Sequence, residues 1–252
     1  MSQVIEGIIQ GITEFLPISS SGHIVFLEKF ANFSSDNLAQ IQVALHLGTL
    51  FSIIIYYFES IKEILLNVKK NRHFISFIAL GTLPLIFMYL FFYDYFKDMH
   101  NNIEHAFQIA SYCIFITGVI LLSTKFINES NNSLTYKIVF IIGCMQCLAI
   151  LPGISRSGIT ICSALVLGVS NKEAVRFSFF LAIPAILGAS ILEVSNLIKI
   201  DSVSEFPLIG FLTSLIVGYI SLRLLIFISN NGKIWYFSIY CFIIGLVSIF
   251  FF

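Results

Sequence analysis

Long apolar stretches without charged side chains run along almost the whole 252-residue chain. A helix that crosses a bilayer needs about 20 such residues, and six stretches reach or approach that length: 40–58, 74–93, 106–124, 174–192, 206–228 and 234–252. Four of them contain no Asp, Glu, Lys or Arg, and the other two contain only Arg176 and Arg223. The pattern predicts an all-α polytopic membrane protein with six transmembrane helices.

The composition excludes the main alternatives. Hydrophobic residues make up 58% of the chain and charged residues only 11%, whereas soluble domains have about 25% charged residues. Disorder and a disulfide scaffold are excluded on the same grounds. Fourteen basic residues balance 14 acidic ones, so no polyanion-binding surface and no nucleic-acid partner are expected.

Two further apolar stretches, 3–31 and 138–169, are interrupted near their middles. The interruptions are Pro17-Ile-Ser-Ser-Ser-Gly22 and Pro152-Gly-Ile-Ser-Arg-Ser-Gly158. The part of each stretch on either side of its interruption is too short to cross a bilayer, so each stretch is predicted to be a re-entrant helical hairpin. Because irregular backbone at membrane depth survives only against protein or water, both interruptions indicate a cavity.

The two interruptions resemble each other. Ser19-Ser-Ser-Gly22 aligns with Ser155-Arg-Ser-Gly158, 136 positions further on. Each half of the chain, roughly 1–126 and 134–252, then contains one hairpin and three spans. Because three is odd, the second half starts on the opposite face, which predicts an inverted repeat within a single integral membrane domain, 1–252.

Lysine and arginine in the loops predict the orientation, because cytoplasmic loops are enriched in them. The face with the termini carries three: Lys29, Lys97 and Lys199. The other face carries nine: Lys62, Lys69, Lys70, Arg72, Lys125, Lys137, Lys172, Arg176 and Lys233. Both termini should therefore lie outside, with the hairpins entering from opposite faces and their tips meeting near the midplane.

Charged residues near the ends of the first hairpin could reach water. Three ionisable residues lie deeper in the hairpins, where such groups are costly and usually face a cavity or a partner. They are Glu14 and His23, close to the first tip, and Arg156 at the second tip. Gln10 lies four residues before Glu14, so the two share one helix face. If the tips meet, one site contains a carboxylate, an imidazole, a guanidinium and several hydroxyls.

These groups favour a phosphorylated substrate. A guanidinium flanked by hydroxyls and loop amides is a phosphate receptor. A carboxylate would repel the phosphate unless it handles protons or shares a divalent cation, and Mg²⁺ typically binds one or two carboxylates together with substrate phosphates. His23 supplies a group that transfers protons near neutral pH. The set predicts phosphoryl transfer on a substrate that resides in lipid.

Other interpretations of the same residues stay open. The Ser-Ser-Ser-Gly segment could be only a helix break, and Glu14 with Arg156 only a structural ion pair. His46, on the first span, is predicted to be a packing residue. Broken helices in an inverted repeat are also typical of secondary transporters, so a flippase for a phosphorylated lipid, with the same phosphate clamp, is the rival function. No span shows a Gly-x-x-x-Gly face, so the sequence does not decide between a monomer and a homodimer.

Two motifs strongly resemble the signatures of the undecaprenyl-pyrophosphate phosphatases, also known as bacitracin-resistance proteins. They are Gln10-Gly-Ile-Thr-Glu-Phe-Leu-Pro-Ile-Ser-Ser-Ser-Gly-His23 and Leu151-Pro-Gly-Ile-Ser-Arg-Ser-Gly-Ile-Thr160. The resemblance implies hydrolysis of C55-isoprenyl pyrophosphate to the monophosphate, the carrier lipid of peptidoglycan synthesis. It also implies dependence on a divalent cation (Mg²⁺ or Ca²⁺), a bacterial inner membrane and a site opening to its outer face. The rival function is then a polyprenyl-phosphate flippase.

The resemblance also assigns roles. It marks Glu14, Ser20, His23 and Arg156 as catalytic. It places five hydroxyl residues around the phosphate: Ser19, Ser21, Ser155, Ser157 and Thr160. Gln10 and Glu14 correspond to the metal-binding positions, and Gln10 stands where many members have Glu. We expect Ser20 to be the nucleophile and His23 its base; His23 itself or an activated water are the alternatives.

Overall fold

The structure is a computed structural model that describes residues 2–31, 38–100, 102–127, 130, 132–199 and 206–251. It confirms the all-α fold class. The α-helices of the described residues are α1 (Ser2–Phe15), α2 (Ser20–Ala31), α3 (Leu38–Tyr56), α4 (Phe58–Leu66), α5 (Arg72–His100), α6 (Ile103–Ser123), α7 (Tyr136–Gln146), α8 (Arg156–Val166), α9 (Asn171–Lys199), α10 (Leu208–Asn230) and α11 (Tyr236–Phe251). Short 3₁₀ turns, Thr124–Phe126 and Cys147–Ile150, extend α6 and α7.

Five helices in the described ranges are long and apolar enough to cross a membrane: α3, α5, α6, α9 and α10. They correspond to the first five predicted spans. In the sixth predicted span, 234–252, the described helix is α11, whose 16 residues make it shorter than these five helices. Residue 252 lies outside the described part. The structure also contains α4, a nine-residue helix after the first span that the hydropathy pattern did not predict.

Large apolar side chains cover much of the outer surface. Leu90, Phe91 and Phe250 are 72%, 74% and 76% exposed. A water-soluble monomer rarely exposes so many large apolar groups. Their exposure therefore agrees with contact between these helices and lipid.

Small residues let helix α10 pack closely against α1 and α3. A Cβ added to Gly48 would lie 2.0 Å from Ser214 Oγ, and one added to Gly11 would lie 2.8 Å from the Gly218 nitrogen. Close backbone approach at small residues is typical of helix pairs in membranes. This packing fixes α1, the helix that carries Gln10 and Glu14, against the centre of the bundle.

The helix contacts run between the two halves of the chain as well as within them. Helix α1 packs on α10 and α7 packs on α5, so the first helix of each broken segment contacts the middle span of the other half. Helices α3 and α9 also contact each other, as do α6 and α11. The two halves are therefore interlocked around the broken segments.

Candidate active site

The first helix break follows α1, which ends at Phe15. Pro17 cannot donate a helical hydrogen bond, and Ser19 has a φ of 73°, a left-handed conformation that few non-glycine residues adopt. The Ser19 hydroxyl accepts a hydrogen bond of 3.3 Å from the Gly22 N–H, which caps the start of α2. The chain therefore reverses within a few residues, as the sequence predicts.

The second break is built around Gly153, whose φ is 98°. A Cβ there would lie 2.4 Å from the Ala110 carbonyl oxygen, so only glycine fits. Thr117 of α6 donates to the Gly153 carbonyl at 2.8 Å and accepts from the Ser155 N–H at 3.2 Å. These bonds satisfy backbone groups that the break removes from the helix, as a membrane interior requires.

The two breaks lie against each other. A Cβ added to Gly22 would be 3.0 Å from the Gly153 Cα, and one added to Gly158 would be 3.3 Å from the Pro17 Cβ. This close approach brings the start of α2 beside the start of α8. The tips of the two broken segments therefore meet.

The serines of the two breaks form the same hydrogen bonds. Ser155 accepts from the Gly158 N–H at 3.1 Å, as Ser19 does from Gly22. The Ser19 and Ser21 hydroxyls share a bond of 3.3 Å, and Ser155 and Ser157 share one of 3.2 Å. The sequence similarity between the breaks thus extends to their local structure.

Four of the predicted site residues form one network around the buried carboxylate of Glu14. Gln10 Nε2 donates to Glu14 Oε2 at 3.1 Å, and the Ser20 hydroxyl donates to the same oxygen at 2.7 Å. Arg156 Nη2 donates to Glu14 Oε1, and Arg156 Nη1 donates to the Ala182 carbonyl at 3.2 Å. A carboxylate, a hydroxyl and a guanidinium are therefore in direct contact.

Glu14, Ser20 and Arg156 of this network line a cavity of about 220 Å³, called the polar cavity below, whereas Gln10 is fully buried and does not line it. Its polar lining residues are Thr13, Glu14, Ser20, Ser21, His46, Gln146, Ser155 and Arg156. The sequence predicts packing for His46, but the structure places it in the wall of this polar cavity, with Nδ1 bonded to the Gln42 carbonyl at 2.8 Å. Gln146 was not predicted as a site residue. Its position 136 residues after Gln10, the separation of the two serine motifs, is a signal that could have found it.

His23 lies apart from this network. Its Nδ1 donates to the Ser19 carbonyl at 2.7 Å, so its Nε2 accepts the 2.7 Å hydrogen bond from the Tyr240 hydroxyl. Both ring nitrogens are thus engaged, and the Ser20 hydroxyl bonds to Glu14 instead. The pairing of His23 with Ser20 stays a prediction that would require the imidazole to move.

A second cavity, of about 670 Å³, is almost entirely apolar and lies between α1, α2 and α11. His23 and Tyr240 line it, together with Thr13. Thr13 therefore lies in the wall of both cavities.

Three predicted phosphate-binding residues do not line the polar cavity within the described residues: Ser19, Ser157 and Thr160. Ser19 and Ser157 bond to neighbouring serines. The Thr160 hydroxyl donates to the Arg156 carbonyl at 2.8 Å and shares a 2.6 Å bond with the Ser178 hydroxyl. In this geometry they stabilise the breaks, whereas Ser21 and Ser155 reach the cavity.

Two oxygen ligands, the Glu14 carboxylate and the Gln10 amide oxygen, suit a hard cation that also binds substrate oxygens. Within the described ranges, no group of three or more His, Cys, Asp or Glu side chains could hold a metal ion alone. Gln10 Oε1, however, is buried without a hydrogen-bond partner, on the side chain whose Nε2 bonds to Glu14. One carboxylate, one amide oxygen and substrate phosphates are a ligand set that Mg²⁺ accepts.

The fold and the site define a polytopic α-helical membrane protein with a polar cavity between two helix breaks. Residues 3–247 match the family described as bacitracin resistance protein BacA. The chain belongs to this family, and it is an integral membrane protein.

Similar curated proteins cover nearly the full chain. An undecaprenyl-diphosphatase of Protochlamydia amoebophila is 37% identical over 98% of this chain and 96% of its own length. One of Rhodopirellula baltica is 36% identical over 98% and 95%, and one of Halothermothrix orenii is 32% identical over 96% and 94%.

Proposed function

We propose that this protein hydrolyses undecaprenyl pyrophosphate to undecaprenyl phosphate and inorganic phosphate. The observation that carries the proposal is the contact of Ser20 and Arg156 with one carboxylate, Glu14, in a cavity at the meeting helix breaks. The relatives named undecaprenyl-diphosphatase support the same activity. We further propose that it recycles the carrier lipid of peptidoglycan synthesis and so contributes to bacitracin resistance.

Arg156 is the phosphate-binding cation of the site. A guanidinium has five N–H donors in a rigid fork, and the bonds to Glu14 and Ala182 use only part of them. The remaining donors hold the terminal phosphate and stabilise the charge that develops on it in the transition state.

Ser20 is the nucleophile in this mechanism. Its oxygen forms a bond to the terminal phosphorus while the bond from phosphorus to the bridging oxygen breaks, which releases undecaprenyl phosphate. Glu14 is the proton acceptor that the geometry offers, because Ser20 already donates to it. Water then cleaves the phosphoserine, which regenerates Ser20 and releases inorganic phosphate. Attack by water and attack by His23 are the alternatives. The role that the sequence predicts for His23, as base for Ser20, requires the imidazole to leave the Ser19 carbonyl and the Tyr240 hydroxyl.

Gln10 and Glu14 would hold the divalent cation, Mg²⁺ or Ca²⁺. When bound, the cation neutralises charge on the pyrophosphate oxygens. Gln10 offers its unpartnered carbonyl oxygen, which contributes no charge. Ser21 and Ser155 add hydroxyl donors in the cavity wall.

The apolar cavity accommodates part of the isoprenyl chain. It shares Thr13 with the polar cavity, and its other lining residues are apolar apart from His23 and Tyr240. A lipid whose head group lies beside Glu14 would place its first isoprene units in this apolar cavity, where they are removed from water.

We propose that the two broken segments are re-entrant hairpins and that the chain forms one membrane domain with six spans in an inverted repeat. The reciprocal packing of α1 on α10 and of α7 on α5 supports the repeat. The bias of Lys and Arg between the loops supports an outer location for both termini. Membership of the family supports an opening of the site to the outer face and a location in the inner membrane of a bacterium.

Detergent-purified protein tests the function against the rival flippase. It should release one inorganic phosphate for each undecaprenyl phosphate formed, and EDTA should stop the release. Micelles have no two sides, so transport cannot produce this signal. Well-folded protein that releases no phosphate would contradict the proposal and favour transport. An assay of lipid transport in vesicles would then measure it.

A further inference from the structure

Gln146 is a buried amide without a hydrogen-bond partner. It is the last residue of α7 and is 1% exposed. Neither its Nε2 nor its Oε1 has a partner, although burying an unpaired amide is costly. Because both side-chain atoms are unpaired, this does not depend on which of them is assigned as nitrogen.

The side chain lies in the wall of the polar cavity, with Glu14, Ser20 and Arg156. Both polar atoms are themselves buried, so a molecule in the cavity would contact them after a rotation of this side chain. The mechanism above leaves Gln146 without a role.

The repeat explains why Gln146 has no partner. Gln10 lies 136 residues earlier and donates to Glu14, four residues after it on the same helix. Four residues after Gln146 the chain has Ile150, which offers no side-chain acceptor. The second half of the chain therefore has an amide at the position that corresponds to Gln10, but no carboxylate that could accept a hydrogen bond from it.

We propose that Gln146 binds the substrate by donating from its amide nitrogen to a phosphate oxygen of the pyrophosphate. The inference rests on the proposed function, since it assumes that the pyrophosphate enters this cavity. A pyrophosphate presents only acceptor oxygens, so an NH₂ group is the complementary partner. Gln146 adds an uncharged donor to the guanidinium of Arg156 and so helps to bind a head group with two phosphates.

Two variants separate this contact from a structural role. Gln146→Met keeps the approximate length of the side chain and removes its hydrogen bonds, and Gln146→Glu keeps the shape and replaces the donor with an anion. Ser229→Ala is the matched control, because Ser229 is also buried with an unpartnered polar atom but does not line the cavity. Each protein is assayed for its thermal midpoint, its kcat and KM on undecaprenyl pyrophosphate, and its binding of a methylene-bridged, non-hydrolysable analogue.

We expect Gln146→Met to bind the analogue roughly tenfold to a hundredfold more weakly, the value of a hydrogen bond to a charged group. KM should rise by a similar factor, with no drop in the thermal midpoint, because an unpaired buried amide has been removed. Gln146→Glu should lose at least as much affinity through repulsion. Ser229→Ala should bind and turn over like the unmodified protein.

The outcomes distinguish this inference from the proposed function. If the unmodified protein releases phosphate and both Gln146 variants bind and turn over as it does, the inference is wrong and the function stands. If the unmodified protein binds the analogue without hydrolysing the substrate, and the variants bind it more weakly, the phosphate contact stands and the function falls. If Gln146→Met fails to fold, Gln146→Glu decides, and unchanged affinity in that variant overturns the inference.

Discussion

Arg156 donates to the Glu14 carboxylate across 142 residues of sequence, and this contact joins the two helix breaks at the polar cavity. The Glu14 side chain is 5% exposed and that of Arg156 is 20% exposed. A buried charge that loses its partner is strongly destabilising. The pair therefore holds the breaks together as well as supplying two of the proposed catalytic groups.

Replacing Arg156 with lysine should lower kcat by about a hundredfold, the effect of losing one well-placed transition-state donor. A lysine ammonium is a point charge, so it cannot contact Glu14, Ala182 and a phosphate through a planar fork. Steady-state phosphate release measures the effect, and Arg223→Lys, at an exposed position on α10, is the control. Near-normal kcat in Arg156→Lys would remove Arg156 from the role proposed for it.

Replacing Ser20 with alanine should lower kcat by about 10³-fold or more, as the loss of a nucleophile does in other covalent mechanisms. Ser111→Ala is a matched control, because Ser111 is buried and bonds to the Phe107 carbonyl of its own helix. Rapid acid quenching with a ³²P-labelled substrate should trap a phosphoprotein in the unmodified chain. Turnover that survives in Ser20→Ala would instead favour water or His23 as the nucleophile.

Replacing Gln10 with glutamate should increase the affinity for the cation several-fold. The change places a second carboxylate beside Glu14, so the two repel each other until a cation binds both. In EDTA, we expect Gln10→Glu to have a lower thermal midpoint than the unmodified protein, and Mg²⁺ should restore it. The variant should also reach half-maximal activity at a lower Mg²⁺ concentration. A midpoint that does not respond to Mg²⁺ in Gln10→Glu would show that the cation does not bind at this pair.

Replacing Gly48 with alanine should destabilise the protein by about 1–3 kcal/mol, the usual cost of overpacking. The new Cβ would lie 2.0 Å from Ser214 Oγ and 2.5 Å from the Phe211 carbonyl oxygen, so α3 and α10 must separate. Gly188→Ala is the control, since nothing lies within 4 Å of a Cβ there and alanine favours a helix. Thermal midpoints in one detergent compare them, and equal midpoints would contradict the packing of α3 on α10.

Local sequence signals were enough to predict the helix breaks and the residues beside them. Pro17 and Pro152 each lie next to a short run of Ser and Gly, and this combination indicates a break, whereas a lone proline such as Pro84 lies inside a continuous helix. Ionisable groups in an apolar segment need partners. Glu14 and Arg156 could therefore be paired before the fold was known.

Other features depend on packing between distant helices, which no local pattern encodes. The position of His46 in the cavity wall depends on how α3 packs against α1 and α9. The bond from Tyr240 to His23 spans 217 residues, and it occupies the imidazole nitrogen that could otherwise accept a proton from Ser20. Helix α11 also starts at Tyr236 rather than at residue 234, because hydropathy locates helix ends only approximately.

The most direct test of the central claim compares phosphate release from undecaprenyl pyrophosphate by the unmodified protein, Glu14→Ala, Arg156→Ala and Arg223→Ala. We predict that the unmodified protein and Arg223→Ala release phosphate, whereas the two site variants lose activity by about a hundredfold or more. Loss of activity in both site variants would show that residues from both breaks take part in one reaction. Full activity in either folded site variant would contradict the account, because one break would then be sufficient for the chemistry.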